Sequence, residues 1–370
     1  MPVVTVQNLC KRFGAVRAVD GIDLEINQGE FVILLGPSGC GKTTTLRLIG
    51  GLEENDAGEI SIGGRVASSP GQGIFVPPEK RGIAMVFQSY AIWPHMTVFD
   101  NVAFPLRIRH LPRAVIKEKV EKVLALLRIE SLALRLATQL SGGQQQRVAI
   151  ARALAVEPSV LLMDEPLSNL DAKLREQMRF ELRELQHRTG VPTLYVTHDQ
   201  AEAMVLSNKI VVMNKGRIEQ VGAAQEIYER PRSKFVSDFI GMANLFEVEV
   251  LGVLEGERFR LRAKENGRDF VCEGRAMPPE VRDGLALIRP ENLKLGPWEE
   301  STVGLNNAFE GVVESVTYLG DHRDYELRDG ELRLRAKADP DIVFERGNRV
   351  VVRVLPRHVI LIPQIAEPKL

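Results

Sequence analysis

The chain has 370 residues, of which 44% are hydrophobic and 26% charged, with a net charge of −1. That length allows two or three domains with cores of their own, and the balanced charge excludes the basic excess of a wholesale nucleic-acid binder. No apolar run approaches the ~20 residues that cross a bilayer. No basic segment followed by an apolar one opens the chain, and the scattered Cys10, Cys40 and Cys272 lack metal spacing, which suits a reducing compartment. The expectation is a cytosolic protein that serves any membrane from outside the lipid.

From residue 1 to 240 strand-like and helix-like segments alternate. Val3–Val6, Gly21–Ile26 and Phe31–Leu35 read as strands. Directly after the third stands Gly36-Pro37-Ser38-Gly39-Cys40-Gly41-Lys42-Thr43-Thr44, which satisfies the Walker A pattern in its required context of a strand before and a helix after. Glycines there let backbone N–H groups turn inward as an anion nest, and the following helix aims its positive end at the same place. Lys42 is expected to reach the β- and γ-phosphates of a nucleotide, and the Thr43 hydroxyl to ligate Mg²⁺. Cys40 reads as a small filler of the loop.

Lys42–Gly50 reads as that helix, with strands at Glu59–Ile62 and Ile83–Phe87. Ile116, Val120, Val123, Leu124 and Leu127 then recur at helical spacing while lysines and glutamates fill the other face, an amphipathic helix within a helical insertion over residues 88–150. Leu140–Arg147, "LSGGQQQR", opens a further helix: Ser141 offers a cap, and Gly142 and Gly143 leave N–H groups bare, so this is a second anion-binding terminus. One nucleotide has one γ-phosphate, so a second such terminus fits the nucleotide of another copy.

Val160–Met163 is an apolar strand whose end presents Asp164 and Glu165. Asp164 takes the role of the carboxylate that holds Mg²⁺, and Glu165, with no metal role left, that of the general base polarising the attacking water. Strands follow at Thr193–Thr197 and Ile210–Met213. Beyond Gly241–Asn244 short β-type runs alternate with Gly, Asp, Asn and Pro, as in a small all-β barrel of the oligonucleotide/oligosaccharide-binding type.

With these motifs in this order the chain resembles the ATP-binding cassette (ABC) family, whose signature is LSGGQ. The resemblance implies an α/β P-loop NTPase over residues 1–240 with an inserted helical subdomain, then an all-β TOBE domain over 241–370. It further implies a head-to-tail homodimer sandwiching two ATP, with Ser141, Gly142, Gly143 and Gln144 acting in trans. Gln88 matches the Q-loop glutamine that touches Mg²⁺ or its water and senses the transmembrane partner. Ser168–Asp171 matches the D-loop at the dimer interface, with Asp171 in trans; the family more often has Ala where Asn169 stands. His198 matches the switch histidine at the γ-phosphate, and Phe13 the aromatic residue that stacks on adenine. Tyr90, Trp93 and His95 are expected to border the groove for a coupling helix.

The implied activity is ATP hydrolysis in an importer of the maltose-importer ATPase type, "IRPENL" and "ESVTYLGD" resembling TOBE motifs. Implied partners are two transmembrane permease subunits and, indirectly, a periplasmic or extracellular solute-binding protein, with the chain on the cytoplasmic face of the membrane and no nucleic acid bound. The stretch from Phe75 to Leu106 looks most like the ferric-iron, polyamine and phosphonate branch. A sugar importer and a soluble non-transport ABC ATPase are the rivals, and the β domain reads as either structural or regulatory.

Overall fold

Two long strands, β1 (Pro2–Phe13) and β2 (Val16–Asn27), open the structure, a computed structural model that describes residues 2–254, 258–273, 282–299 and 307–363. Next come β3 (Phe31–Leu35), α1 (Lys42–Gly50), β4 (Ala57–Ile62), β5 (Arg65–Ser69), β6 (Ile74–Phe75) and β7 (Ile83–Val86). Three helices follow, α2 (Val98–Ile108), α3 (Arg113–Leu126) and α4 (Gly142–Ala155). The series continues with β8 (Val160–Asp164), α5 (Ala172–Thr189), β9 (Thr193–Thr197), α6 (Gln200–Leu206), β10 (Lys209–Asn214), β11 (Arg217–Gly222) and α7 (Ala224–Glu229).

A six-stranded sheet runs β11-β10-β3-β9-β8-β7, parallel except for β11. Strands β3, β8 and β9 are buried at every residue, because a parallel sheet covered on both faces demands unbroken apolar runs. A second, antiparallel sheet runs β2-β1-β4-β5-β6, and one core cluster joins residues of both sheets with α1. The expected helical insertion is present as α2, α3 and α4, α3 burying Ile116, Val120, Val123 and Leu124 as its spacing implied. Strands β5 and β6 were not foreseen: "RVASS" buries Ala67, Ser68 and Ser69, too small and polar to signal a strand.

The chain divides into two compact units, Met1–Ile227 and Tyr228–Leu370. The second holds α8 (Lys234–Phe239), then β12 (Asn244–Leu254), β13 (Arg258–Ala263), β14 (Asp269–Glu273), β15 (Asp283–Ile288) and β16 (Lys294–Pro297). It ends with β17 (Ala308–Tyr318), β18 (Arg323–Asp329), β19 (Leu332–Ala338), β20 (Arg349–Arg353) and β21 (Ile360–Pro363). These strands form two five-stranded antiparallel sheets, β14-β13-β12-β15-β21 and β16-β20-β17-β18-β19, around a shared core that includes Phe246, Phe270, Phe309 and Tyr325.

The division falls ahead of the boundary read at Gly241. Arg289, which is 1% exposed, binds the stretch between the two positions. Its guanidinium donates to the carbonyls of Tyr228, Ser237 and Met242 and stacks 4.2 Å from the Tyr228 ring centroid. The helical stretch before the strands therefore travels with the β unit.

Candidate functional site

The loop between β3 and α1 is shaped by close approaches. A Cβ on Gly41, whose φ is +104°, would collide with Ala18 O, and one on Gly36 with Met213 O and Cys40 Sγ. Only glycine fits at either position, so the loop's N–H groups form a cradle walled by β2 and β10. Lys42 is 5% exposed, and its ammonium donates to Gly36 O at 2.7 Å and Pro37 O at 2.9 Å. Cys40 is buried 3.8 Å from that ammonium, and burial pushes its thiol pKa up, so the loop's cysteine is an inert filler. Phe13 is half exposed at the end of the β1–β2 hairpin, paired with Val16 two residues from the Ala18 that abuts Gly41.

Thr43 Oγ1 donates to Asp164 Oδ1 at 3.0 Å, joining the start of α1 to the end of β8. Burial raises the Asp164 carboxyl above its ordinary range; the Thr43 hydrogen bond opposes the shift and neighbouring Glu165 adds to it. A half-buried hydroxyl beside a buried carboxylate is the hard oxygen donor set that suits Mg²⁺. Glu165 sits at φ +42°, left-handed backbone that costs a non-glycine residue strain and is held here by its N–H bond to Val196 O at 3.0 Å. His198, just after β9, places Nδ1 3.1 Å from Glu165 Oε1.

Gln88 lies exposed beyond β7, its Nε2 donating to Ser168 Oγ at 3.2 Å, while Asn169 Nδ2 donates to Gln88 O at 2.9 Å. The structure thus gathers Lys42, Thr43, Asp164, Glu165, His198 and Gln88 around the ends of adjacent parallel strands. Ser141, Gly142, Gly143 and Gln144 stand apart, at the N-terminus of α4, and bond to no P-loop residue among those described. The bond that ties this terminus runs from Ser141 N–H to Gln144 Oε1, 3.0 Å. Its glycines also serve packing: a Cβ on Gly142 would lie 3.4 Å from Leu170 Cδ2, and one on Gly143 3.0 Å from Leu174 Cδ2. Asp171 caps α5 by accepting from Leu174 N–H, so Ser141–Gln144 and Asp171 share one face.

Several residues of the neighbourhood escaped the sequence reading. Arg175 and Arg179 of α5 both reach Asp199 Oδ2, at 3.5 and 3.0 Å, steadying the residue after His198. Beneath it Glu202 accepts from Tyr195 Oη at 2.8 Å and Thr197 Oγ1 at 2.7 Å. The Asp199-to-Glu202 spacing of a helix start was the available signal. The aromatic run sits differently from expectation. Tyr90 is buried, and Trp93 packs 4.3 Å from Phe104 and under Arg152, while His95 stays exposed. The apolar groove of the helical subdomain, about 1250 Å³, lies on α2 and α3 and is lined by Phe99, Arg107, Ile116, Lys117, Leu124 and Leu134.

Residues 19–168 match the family model described as ABC transporter, and residues 286–362 that of the TOBE domain. The chain is similar to the trehalose/maltose import ATP-binding protein MalK of Thermococcus litoralis, 46% identical over 93% of this chain and 96% of that one. It is also similar to the spermidine/putrescine import ATP-binding protein PotA of Trichormus variabilis, 47% identical over 87% of this chain and 82% of that one. Among solved structures, the dimeric bacterial ABC transporter cassette MJ0796 superposes with a TM-score of 0.52 at 31% identity, covering 60% of this chain and 98% of that one.

Proposed function

The chain belongs to the ABC transporter family, and on that premise we propose that two copies clasp two ATP molecules and hydrolyse them to drive solute import through a separate permease. The observation that carries this reading is the convergence of Glu165, His198, Asp164 and Thr43 on the mouth of the Gly36–Thr44 cradle. The cradle's N–H groups and the α1 terminus hold the phosphates, and Lys42 turns from the loop carbonyls to the β/γ oxygens. Thr43, Asp164 and Gln88 hold Mg²⁺, which when bound neutralises charge developing on the transferred phosphoryl group. Glu165 accepts the proton of the attacking water as the bond to the γ-phosphorus forms and the bond to ADP breaks; His198 orients that carboxylate. Phe13, half exposed beside the loop, stacks on the base.

The γ-phosphate's second contact is supplied in trans by Ser141–Gln144 and Asp171, whose common face supports that role. A two-fold axis makes both contacts equivalent. Closure then depends on a phosphate that both chains grip, and hydrolysis removes that grip. No helix among the described residues is long and apolar enough to cross a membrane, in keeping with a peripheral subunit docked on two permease chains at the inner face. The groove on α2 and α3, apolar and edged by Arg107 and Lys117, suits a coupling helix.

The site faces nucleotide, so cargo is chosen by the permease. The stretch Phe75–Leu106 supports uptake of a polyamine, ferric ion or phosphonate, and the 46% identical trehalose/maltose relative favours a sugar as second reading. Uptake of labelled putrescine against labelled maltose in a deletion strain separates them. For the chemistry, Glu165→Gln is expected to lower ATP turnover by about 10²–10⁴-fold with ATP binding retained. Near wild-type turnover in that variant removes the base assignment.

A further inference from the structure

Asn169 is left without a role by the nucleotide chemistry, yet its side chain makes a long-range bond beside the site. The run Phe87–Ser89 leaves β7 exposed, and its own backbone bonds are local: Tyr90 N–H to Phe87 O at 2.9 Å and Ala91 N–H to Ser89 O at 2.7 Å. Gln88 is fastened by two consecutive side chains of the turn after β8. Asn169 Nδ2 donates to the Gln88 carbonyl at 2.9 Å, and Gln88 Nε2 donates to Ser168 Oγ at 3.2 Å. That hydroxyl in turn donates to Glu165 O at 2.9 Å.

The turn itself is stiff. Ser168 N–H bonds Glu165 O and Leu170 N–H bonds Leu167 O, each at 3.2 Å, with Pro166 and Leu167 buried beneath. It starts from Asp164, the carboxylate that pairs with Thr43. Asn169 and Ser168 hold different parts of Gln88, one its main chain and the other its side chain. The bond to Ser168 engages the Gln88 amide nitrogen and not its oxygen, and the bond from Asn169 ends on the backbone carbonyl, so neither consumes the group a metal would bind.

We propose that Asn169 is a positioning residue for Mg²⁺ binding: it keeps the Gln88 main chain in register with Asp164 so that the Gln88 amide oxygen is presented to the metal. The proposal rests on the reading that Gln88 reaches Mg²⁺ or its water. Asn169 acts through the Gln88 carbonyl, so its removal raises the Mg²⁺ requirement and leaves metal-free nucleotide binding alone.

The experiment uses the full-length chain and a fluorescent ATP analogue, with binding followed in EDTA and as Mg²⁺ is titrated. Asn169→Ala removes the donor; Asn169→Asp keeps the shape and also cannot donate to a carbonyl, and its added charge would by itself lower the Mg²⁺ requirement. Asn169→Ala is expected to raise the half-saturating Mg²⁺ concentration by about 3–10-fold, the worth of one hydrogen bond, and Asn169→Asp to raise it by less, both with affinity in EDTA within about twofold of wild type. Any other pattern in the two variants, including a parallel loss in EDTA, overturns the proposal. Gln88→Ala is the companion measurement. If it leaves the Mg²⁺ requirement unchanged, the reading of Gln88 fails and takes the proposal with it; if it raises the requirement and the Asn169 variants do not, the role of Asn169 alone is refuted.

Discussion

Glu202 is 3% exposed, yet it carries a carboxylate. Burial raises its pKa above the ordinary 4.5, with the Thr197 and Tyr195 hydroxyls partly offsetting the shift. A carboxyl raised in this way favours the folded state while protonated, and the advantage disappears as pH climbs from its unfolded value through its folded one. Glu202→Gln carries no proton equilibrium and can still accept from both hydroxyls. Its stability relative to wild type should therefore improve as pH rises above the ordinary glutamate range, read as the difference in melting midpoint. A difference that stays flat with pH would show that the carboxyl titrates as if solvated. At this scale the sequence displayed the P-loop, the Asp164–Glu165 pair and His198 because each belongs to a contiguous motif. It could not display the bond from Asn169 to Gln88, 81 residues apart, since those partners meet only when β7 and β8 lie side by side.

The P-loop helix α1 is short; Gly51 and Leu52 N–H close back on Leu48 O and Arg47 O, and a further donor comes from outside the helix. Arg81 supplies it. Its Nη1 donates to Leu48 O at 2.8 Å and Ile49 O at 2.9 Å, its Nε to Val76 O at 2.7 Å, and the guanidinium lies 5.2 Å from the Phe75 ring centroid. Burial lowers the Arg81 pKa to about 10, still far above neutrality, so the cation stands against the negative end of α1. Arg81 thus joins the phosphate-binding helix to the segment that leads through β7 to Gln88. Arg81→Met keeps the stem and takes a donor from three carbonyls, of which Leu48 O keeps its bond from Gly51 N–H. The loss should cost about 2 kcal/mol in urea denaturation. A loss under about 0.5 kcal/mol, the range of an ordinary surface change, would show that water replaces the guanidinium. Element types were readable wherever composition was extreme, as in β3, β8, β9 and α3. "RVASS" and "IF" carried no such signal, and they are strands because β4 and β5 each offer an edge to pair.

One polypeptide gathers Thr43, Asp164, Glu165 and His198 beside the Gly36–Thr44 loop, while Ser141–Gln144 open α4 and bond to none of them among the described residues. If that terminus completes the site of a second copy, turnover per chain must fall as protein is diluted below the dimer's dissociation constant. Glu165→Gln with Mg²⁺ and ATP should sediment as a dimer, and as a monomer without nucleotide. A turnover per chain that holds constant down to concentrations where only monomer sediments would refute the shared site. The amino-acid sequence by itself determined the chemistry, because phosphate cradles, helix termini and carboxylates on buried strands are set by contiguous residues whose local geometry is nearly forced. It also determined the family and the order of a cassette before a β domain. Tertiary structure alone showed the units dividing after Ile227, and Arg289 buried against Tyr228, Ser237 and Met242 far back along the chain. It also decided which loops brace which, since side chains distant in sequence meet only through the order of strands in a sheet.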